Sequence, residues 1–320
     1  MDTLGTIGEK ALVNEIVKNT HSRVALGPGD DAAAIKVGDK CIVVSSDIMS
    51  KKTHTSEGMS YYDIGWFAAA VNYSDVAAMG ASPIGILVSL FMERDLEVSC
   101  FREMMRGVRE CSEAIGAEIL GGDTKEGAGI VISGTALGIV DEKKMLKRGG
   151  AKAGDLIGVT GPIGTAAAGF FAVQFGVDAP EVKKVLYTPF PRTKEGCILS
   201  DSGYVTACMD VTDGLAYSIN EISRHSDGVC FQVDWEKIPI TDETKDVILK
   251  TQSDETETVL YFGGEYELVF TFDPQGEEYL RKALGNHFYV IGKAKGNDNM
   301  MMKNGKPVKL EYRGWEHFKS

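Results

Sequence analysis

The sequence predicts a fold of the mixed α/β (α+β) class, divided into two domains, and three observations support this. The chain has 320 residues, and roughly 150 residues are typical of one domain. In both halves, short apolar runs typical of strands alternate with longer amphipathic segments typical of helices, without strict βαβ order. Around residues 141–155 the chain becomes basic and loop-like (KKMLKRGGAKAGD). We therefore place the domain boundary there, with an N-terminal domain over 1–145 and a C-terminal domain over 146–320.

The N-terminal half is predicted to contain long helices between strands. Apolar side chains recur every three to four residues in the two longest candidate helices, and a glycine follows each, at Gly80 and at Gly116. This spacing is typical of helices that bury one face, and the glycines are typical of helix C-termini. In order, the predicted elements are helix 8–17, strands 32–35 and 41–45, helix 61–79, strand 84–91, helix 97–115, and strands 117–120 and 129–140.

The C-terminal half restarts the alternation of strands and helices. Its first strand runs into a glycine turn at residues 161–164, which precedes a helix of small residues. Such a turn either cradles a phosphate at the helix N-terminus or makes a tight connection, and both interpretations stay open. In order, we predict strand 156–160, a helix to about 175, two short helices flanking Pro189 and Pro191, strand 205–209, a helix to about 225, strands 228–233, 267–272 and 288–294, and a hairpin turned by Asn304-Gly305.

Composition excludes several classes of protein. The 34 basic and 46 acidic side chains leave a net charge of −12, which argues against nucleic-acid binding because phosphate recognition needs clustered Lys and Arg. No apolar run approaches the roughly 18 residues of a membrane helix, and residues 1–20 lack the features of a signal peptide. The six cysteines show neither metal-binding nor disulfide spacing. We therefore expect a cytoplasmic protein with free thiols and without a membrane or nucleic-acid partner.

Acidic residues concentrate beside glycine turns and at the ends of predicted strands. Any one of them could be an ordinary turn or helix-cap residue, but together they could converge on one cleft. Clustered carboxylates repel one another unless cations neutralise them, and oxygen ligands without His or Cys favour Mg²⁺. Mg²⁺ held in this way is the usual partner of a nucleoside triphosphate, although the sequence has no P-loop motif. These residues are Asp30, Asp31, Asp47, Asp75, Asp123, Asp210, Asp213 and Glu265.

Nine segments occur together in an order and spacing that resemble a known family. They are PGDDAA (28–33), SSD (45–47), His54, VNYSDVAAMGASP (71–83), GGDT (121–124), KRGGAKAGD (147–155), MDVTDGLA (209–216), GGEYELVFT (263–271) and GWEHF (314–318). Over essentially the whole chain, this set resembles the thiamine-monophosphate kinase family of the aminoimidazole-ribotide-synthetase-like superfamily. The resemblance implies a two-domain subunit of that type, which forms a homodimer through its N-terminal domains. It also implies a Mg²⁺-dependent kinase that transfers the ATP γ-phosphoryl group directly to thiamine monophosphate, giving thiamine diphosphate.

The resemblance further implies roles for individual residues. Several Mg²⁺ ions would be held by Asp31, Ser45, Ser46, Asp47, Asp75, Asp123, Asp210 and Asp213, with Asp31 preferred over its neighbour Asp30. ATP would be contacted by Gly122, Asp123, Arg148 and Thr212. Thiamine monophosphate would be contacted by His54, Glu265 and Trp315. We expect no catalytic side chain to act as a general base, because a phosphate monoester with a second pKa of about 6 is already mostly ionised at pH 7.

Three segments depart from the family pattern. The family has GGEDYEL where this chain has GGEYEL (263–268), which is one Asp shorter. SKKT (50–53) stands in place of an acidic segment, and Thr55 stands where a Phe usually follows His54. Thr212 replaces a Ser, which is a mild change. Because the first two departures fall in the acceptor region, two alternatives stay open: a kinase for another small molecule, at an amide or carboxamide oxygen, and a non-catalytic nucleotide-binding protein.

Overall fold

The computed structural model describes residues 3–20 and 24–318, which contain two β-sheets with helices packed on them. The strands are β1 (Ala33–Val37), β2 (Lys40–Ser50), β3 (Ser82–Met92), β4 (Glu118–Glu126), β5 (Val131–Asp141), β6 (Leu156–Val159), β7 (Val205–Asp210), β8 (Phe231–Asp234), β9 (Leu268–Phe272), β10 (Tyr289–Ala294), β11 (Met300–Lys303) and β12 (Lys306–Lys309). The α-helices are α1 (Leu4–Ile7), α2 (Glu9–Asn19), α3 (Lys51–His54), α4 (Tyr61–Ala78), α5 (Val98–Ala114), α6 (Thr165–Gln174), α7 (Pro180–Tyr187), α8 (Thr193–Ser202), α9 (Leu215–His225), α10 (Asp242–Thr251) and α11 (Glu277–Leu284).

The first sheet has the strand order β1-β2-β5-β3-β4, in which β3 and β4 are parallel and the other neighbours are antiparallel. Helices α4 and α5 cover one face, and their apolar side chains share a core with Val43 and Val88 from the strands. The two helices approach closely because both carry a glycine at the crossing. A Cβ atom at Gly65 would lie 1.9 Å from the carbonyl oxygen of Met104, so any side chain there would force the helices apart.

The second sheet has the strand order β12-β11-β8-β10-β6-β9-β7. Helix α4 contacts strands of both sheets, including β2, β5 and β7. The Nε1 atom of Trp66 on α4 donates a hydrogen bond to the carbonyl oxygen of Pro189 at 2.7 Å. A Cβ atom at Gly196 on α8 would lie 2.2 Å from the carbonyl oxygen of Ala77, so α8 also packs directly on α4. Helix α4 therefore packs against both sheets.

The prediction of a mixed α/β fold is confirmed, with some differences in its elements. Helices α1, α3, α10 and α11 are absent from the prediction. The first two have four residues each, and α10 and α11 each bury two apolar side chains, too few for a long apolar stripe. Strand β4 extends beyond the predicted 117–120, because it continues through Gly121-Gly122-Asp123-Thr124.

Residues 142–155 connect the two sheets, since β5 ends at Asp141 and β6 begins at Leu156. The predicted boundary at 145/146 lies within this connection and stays a prediction. Within 3–20 and 24–318, no helix has the length and apolar character that a membrane crossing requires.

Candidate active site

Three carboxylates from distant parts of the sequence meet where the two sheets adjoin. Asp31 precedes β1, Asp75 lies on α4, and Asp210 is the last residue of β7. Carboxylate oxygens of all three residues lie within 4.8 Å of one another. Asp47 on β2 lies beside them, near enough for its charge to raise the pKa of both Asp75 and Asp210. The structure thus brings together four of the predicted metal ligands.

Short polar side chains hold these carboxylates in place. The hydroxyl group of Ser45 donates a hydrogen bond to Oδ2 of Asp75, and that of Ser74 donates to Oδ2 of Asp210 at 2.5 Å. Ser45 lies on β2 and Ser74 on α4, so each bond joins two elements. The backbone N–H of Asp47 donates to Oδ1 of Asn72 at 2.9 Å, which fixes β2 against α4 at the cluster. The i, i+3 spacing of Asn72 and Asp75 places both on one face of α4, but sequence spacing alone does not indicate the role of Ser74.

Crowding and burial make this cluster electrostatically costly without cations. Burial raises the pKa of Asp75 well above its ordinary value, and the charges of Asp47 and Asp210 raise it further. Burial, with the charge of Asp31, raises the pKa of Asp210 to about 8. Burial also raises the pKa of Asp47. Each shift opposes ionisation, because a buried carboxylate loses hydration and gains repulsion from its neighbours.

Arg148 neutralises one end of the cluster. Its Nε and Nη2 atoms donate to Oδ1 of Asp31 at 3.2 and 2.8 Å. Its backbone N–H donates to both carboxylate oxygens of Asp30, at 3.2 Å each. The Asp30 carboxylate therefore pairs with the backbone of Arg148, whereas Asp31 lies with Asp75 and Asp210. This arrangement favours Asp31 over Asp30 as a ligand.

The donor set fits a hard divalent cation. The Oδ2 atom of Asp31 is buried and has no hydrogen-bond partner within the described ranges, although its Oδ1 atom pairs with Arg148. A buried polar atom of this kind is costly unless a ligand satisfies it. The neighbouring donors are carboxylate oxygens, which Mg²⁺ prefers over imidazole or thiolate ligands. The residues present therefore fit Mg²⁺.

Three chain segments interlock at Asp213, in the turn between β7 and α9. The backbone N–H of Gly264 donates to the carbonyl oxygen of Thr212 at 2.7 Å, and that of Trp315 donates to the carbonyl oxygen of Asp213 at 3.1 Å. A Cβ atom at Gly263 would lie 2.0 Å from the Thr212 carbonyl oxygen, and one at Gly314 would lie 2.0 Å from the Asp213 carbonyl oxygen. The backbones touch directly, so Trp315 is held beside Asp213.

Two of the predicted acceptor-binding residues, His54 and Trp315, both contact the ring of His317. The rings of His54 and His317 have centroids 4.9 Å apart, and the ring of Trp315 meets that of His317 edge to face at 6.2 Å. Burial and the proximity of His317 lower the pKa of His54, so its neutral form is favoured at pH 7. Trp315 is exposed, and its ring lies 6.5 Å from that of Phe262. The result is an aromatic, partly open surface next to Asp213.

Glu265 lies instead at the N-terminus of α6. Both of its carboxylate oxygens accept from the backbone N–H of Ala166, at 3.2 and 3.3 Å, and the residue is 4% exposed. A carboxylate therefore already fills the position that an anion would take at this helix end. This favours the tight connection, rather than the phosphate cradle, for the turn at residues 161–164. Burial raises the pKa of Glu265 to about 8, despite the stabilising backbone N–H groups.

We expect this raised pKa to make the stability of the protein depend on pH. A carboxyl group whose pKa is higher in the folded state stabilises that state at low pH, and the contribution is lost as the pH rises through about 8. Glu265→Gln removes the titration and keeps an oxygen that accepts from Ala166. Between pH 6 and 9, its free energy of unfolding should rise relative to wild type by about 2 to 3 kcal/mol, measured by urea denaturation. The exposed Glu278→Gln is the control, and a pH-independent Glu265→Gln difference would contradict the assignment.

Asp123 and Ser46 lie on the other face of the first sheet. Asp47 pairs with Gly134, Gly134 with Val88, and Val88 with Gly122, so Asp47 and Gly122 share one row across the sheet. Side chains alternate between faces, so the next residue, Asp123, faces away from α4. Three strand spacings separate β2 from β4, which is about 14 Å. Within one chain, the structure therefore does not bring the Asp123 carboxylate to the cluster.

Gly122 has a structural reason to be glycine. It has a positive φ of 148°, and a Cβ atom there would lie 1.7 Å from the carbonyl oxygen of Val88 on β3. The close pairing of β4 with β3 therefore excludes a side chain at this position. The predicted contact of Gly122 with ATP stays a prediction, as does that of Thr212.

The sequence analysis does not identify Tyr266, Lys10 or His317 as site residues. Tyr266 has a φ of 55°, which is strained for a residue with a side chain, and the charges of Asp47, Asp210 and other carboxylates raise its pKa together with burial. Its position after Glu265, in the segment that departs from the family pattern, is the only sequence signal for it. Lys10 lies in a polar segment without a recognisable motif, whereas His317 lies in GWEHF (314–318), where the sequence analysis assigns a role only to Trp315.

Comparisons with known proteins agree with this arrangement. The family models described as "AIR synthase related protein, N-terminal domain" and "AIR synthase related protein, C-terminal domain" match residues 29–140 and 152–302. The thiamine-monophosphate kinase of Pyrococcus abyssi is 34% identical over 291 residues, which are 90% of this chain and 90% of that protein. The chain belongs to the thiamine-monophosphate kinase family. The family member from Aquifex aeolicus is 29% identical and aligns over 98% of this chain and 99% of its own length.

Solved structures of the thiamine-monophosphate kinase family have the same fold. One described as "AaThiL complexed with AMPPCP and TMP" has a TM-score of 0.86 and 28% identity, covering 99% of both chains. The thiamine monophosphate kinase of Aquifex aeolicus has a TM-score of 0.79 and 27% identity, covering 93% of this chain and 97% of that one. E. coli HypE, a hydrogenase maturation protein, shares the fold at 20% identity and a TM-score of 0.72. The family, fold and enzyme class predicted from the sequence are confirmed.

Proposed function

We propose that this protein is a Mg²⁺-dependent kinase that transfers the γ-phosphoryl group of ATP directly to thiamine monophosphate. The observation that carries the proposal is the meeting of Asp31, Asp75 and Asp210 within 4.8 Å, in a chain of this family. A family relative with 28% identity is described as a complex with an ATP analogue and TMP, which supports both substrates.

The residues of the cluster have a clear part in this reaction. Asp31, Asp47, Asp75 and Asp210, helped by Ser45 and Asp213, would hold Mg²⁺, which supplies positive charge beside the phosphate oxygens. Arg148 lies beside Asp31 and adds a fixed cation to the same cluster. Because the acceptor phosphate is already an anion, no residue has to remove a proton from it. The cations of the site must instead reduce the repulsion between this phosphate and ATP, and the residues must align the two. Gly122 and Thr212 would contact ATP, with Arg148.

The acceptor ring would lie on the aromatic surface next to Asp213. His54 is held neutral there by its surroundings, and Trp315 offers an exposed ring face, which attracts cationic rings such as a thiazolium. Glu265 fixes the loop beside this surface, because its neighbours Gly263 and Gly264 pack against Thr212. We retain Glu265 as an acceptor-binding residue that acts through this loop.

We further propose a homodimer that buries the open face of the first sheet. That face exposes a group of large apolar side chains, which in water favours association. Ser46 and Asp123 lie on the same face, so a second copy docked there brings Asp123 towards a site on the other chain. The two sheets would then correspond to domains over 1–145 and 146–320. The apolar residues are Ile48, Leu87, Phe91 and Leu120.

We infer that the enzyme works in the cytoplasm. All six cysteines are free thiols, which fits a reducing compartment. Its substrates are then small molecules of that compartment, with neither nucleic acid nor membrane as a partner.

The decisive experiment incubates the protein with Mg²⁺, ATP and thiamine monophosphate and separates the products by chromatography. We expect thiamine diphosphate and ADP in equal amounts, and none of either when EDTA replaces Mg²⁺. Hydrolysis or transfer from ATP to a carboxamide compound, without thiamine diphosphate, would instead support the alternative kinase. Binding of ATP without any turnover would support a non-catalytic role.

A further inference from the structure

Lys10 is a cation at the edge of the candidate site that no motif identifies. Its ammonium group lies 3.2 Å from Oδ2 of Asp213. The same nitrogen lies over the ring of Tyr217, 3.4 Å from its centroid. Asp213 and Tyr217 therefore hold the ammonium group from two sides. The Lys10 side chain remains 23% exposed, so it is not closed off from solvent.

The two terminal segments of the described chain place Lys10 there. The backbone N–H of His317 donates to Oε2 of Glu9 at 3.0 Å, and the backbone N–H of Glu9 donates to the carbonyl oxygen of His317 at 3.4 Å. The backbone N–H of Lys10 donates to Oε1 of Glu316 at 3.3 Å. These bonds fasten the start of α2 to the segment that carries Trp315 and His317. Lys10 thus lies between the carboxylate end of the site and the aromatic surface.

We propose that Lys10 binds the phosphate group of the acceptor. The inference rests on the proposed function, because it assumes a phosphate monoester whose ring lies on the surface of His54 and Trp315. An ammonium group has three N–H donors, so Lys10 can keep its bond to Asp213 and still donate to a phosphate oxygen. A phosphate bound there would lie between that ring and the acidic cluster, where its oxygen must meet ATP. The Nε and Nη2 atoms of Arg148 instead donate to Asp31, which directs that guanidinium to the acidic cluster.

A purely structural role for Lys10 predicts different behaviour. If the ammonium group only fastened α2 to Asp213, its loss would weaken binding of every acceptor-site ligand alike. If it binds phosphate, its loss weakens only ligands that carry phosphate. Thiamine and thiamine monophosphate differ by that group alone, so the pair distinguishes the two roles.

The test measures binding of both ligands by isothermal titration calorimetry, with Mg²⁺ and without ATP, to wild type, Lys10→Met and Lys10→Arg. We expect Lys10→Met to weaken thiamine monophosphate by about 10- to 100-fold, the range for a hydrogen bond to a charged group, and thiamine by less than about 3-fold. Lys10→Arg should keep most of the preference for the phosphorylated ligand. Lys18→Met, an exposed lysine on the same helix, is the matched control and should change neither.

Steady-state kinetics give a second measurement. Lys10→Met should raise KM for thiamine monophosphate while KM for ATP stays within about 2-fold, since the loss concerns acceptor binding. Equal weakening of both ligands, or no weakening of either, would overturn the role of Lys10. A wild-type protein that makes no thiamine diphosphate would instead overturn the proposed function. Melting temperatures of the variants show whether each is folded. If Lys10→Met does not fold, the comparison of wild type with Lys10→Arg still tests the proposal.

Discussion

Asp75→Asn is expected to lower kcat by about 1000-fold or more and, at the same time, to stabilise the metal-free protein. Asp75 is central in the cluster, with oxygens of Asp31 and Asp210 within 4.8 Å. At that separation and an effective dielectric constant of about 20, two negative charges repel by roughly 3 kcal/mol. Asparagine has nearly the same shape and can still accept from Ser45, so the change removes mainly charge. The substitution removes a ligand for Mg²⁺, which lowers kcat. In the metal-free protein it removes the repulsion of Asp75 by Asp31 and Asp210, which raises stability.

Two measurements at pH 8 check this prediction: kcat with Mg²⁺, and the melting temperature in EDTA. We expect the melting temperature in EDTA to rise by about 2 to 5 °C, and the stabilisation by added Mg²⁺ to shrink compared with wild type. The pH matters because burial raises the pKa of Asp75, so the repulsion grows as the pH rises. Asp95→Asn, at an exposed position between β3 and α5, is the control and should change neither quantity. Normal turnover by Asp75→Asn would refute the metal-binding role.

A mixed dimer of Asp47→Asn and Asp123→Asn chains should regain activity that neither variant has alone. The structure places Asp123 on the sheet face opposite to Asp47, so we expect Asp123 to act at the site of the second copy. In the mixed dimer, one site then combines the native Asp47 of one chain with the native Asp123 of the other. The second site carries both substitutions and is inactive. Purified mixed dimers should therefore show about half of wild-type activity, since a two-fold symmetric dimer has two equivalent sites.

A matched control uses two variants of the same cluster. Mixed dimers of Asp47→Asn and Asp75→Asn should stay inactive, because each of their sites carries one defective ligand from its own chain. Two affinity tags, one on each variant, allow purification of the mixed dimer alone. An inactive Asp47→Asn/Asp123→Asn dimer would show that Asp123 acts within its own chain. A fully active Asp123→Asn homodimer would show that it has no part in the reaction.

Much of the site could be predicted from the sequence because its ligands lie in short, recognisable turns. Asp31 follows a glycine turn, Asp75 lies in a distinctive helix and Asp210 ends a strand, and the fold brings them together. Asp47 lies within β2, which continues to Ser50 beyond the predicted end of that strand at residue 45. The face of the sheet on which Asp123 lies could not be predicted, because it depends on the register of β4 against β3. Glu265 also lies in a family segment beside a glycine pair, yet its carboxylate accepts a hydrogen bond at the N-terminus of α6.

Other features of the structure cannot be predicted from any local pattern in the sequence. Lys10 and Asp213 are more than 200 residues apart, and their contact depends on hydrogen bonds between Glu9 and His317, one of them to the Glu9 side chain. Hydrophobic periodicity predicts α4 and α5, because long apolar stripes meet the sheet there. It does not predict α10, whose inward face consists of Thr244, Val247 and Ile248. Tertiary packing, rather than local pattern, decides these elements.

The interlocked backbones around Asp213 limit how acceptor choice can be redesigned. Replacing Gly263 or Gly314 even by alanine would push apart the turns that carry Asp213 and Trp315, since a Cβ atom at either glycine would lie 2.0 Å from a carbonyl oxygen. Random libraries over these turns would therefore yield mostly misfolded proteins. Diversity placed at His54 and Trp315 alters side chains of the aromatic surface and leaves these backbone contacts intact. A small combinatorial library at those two positions is therefore the efficient route to a kinase for a new vitamin analogue.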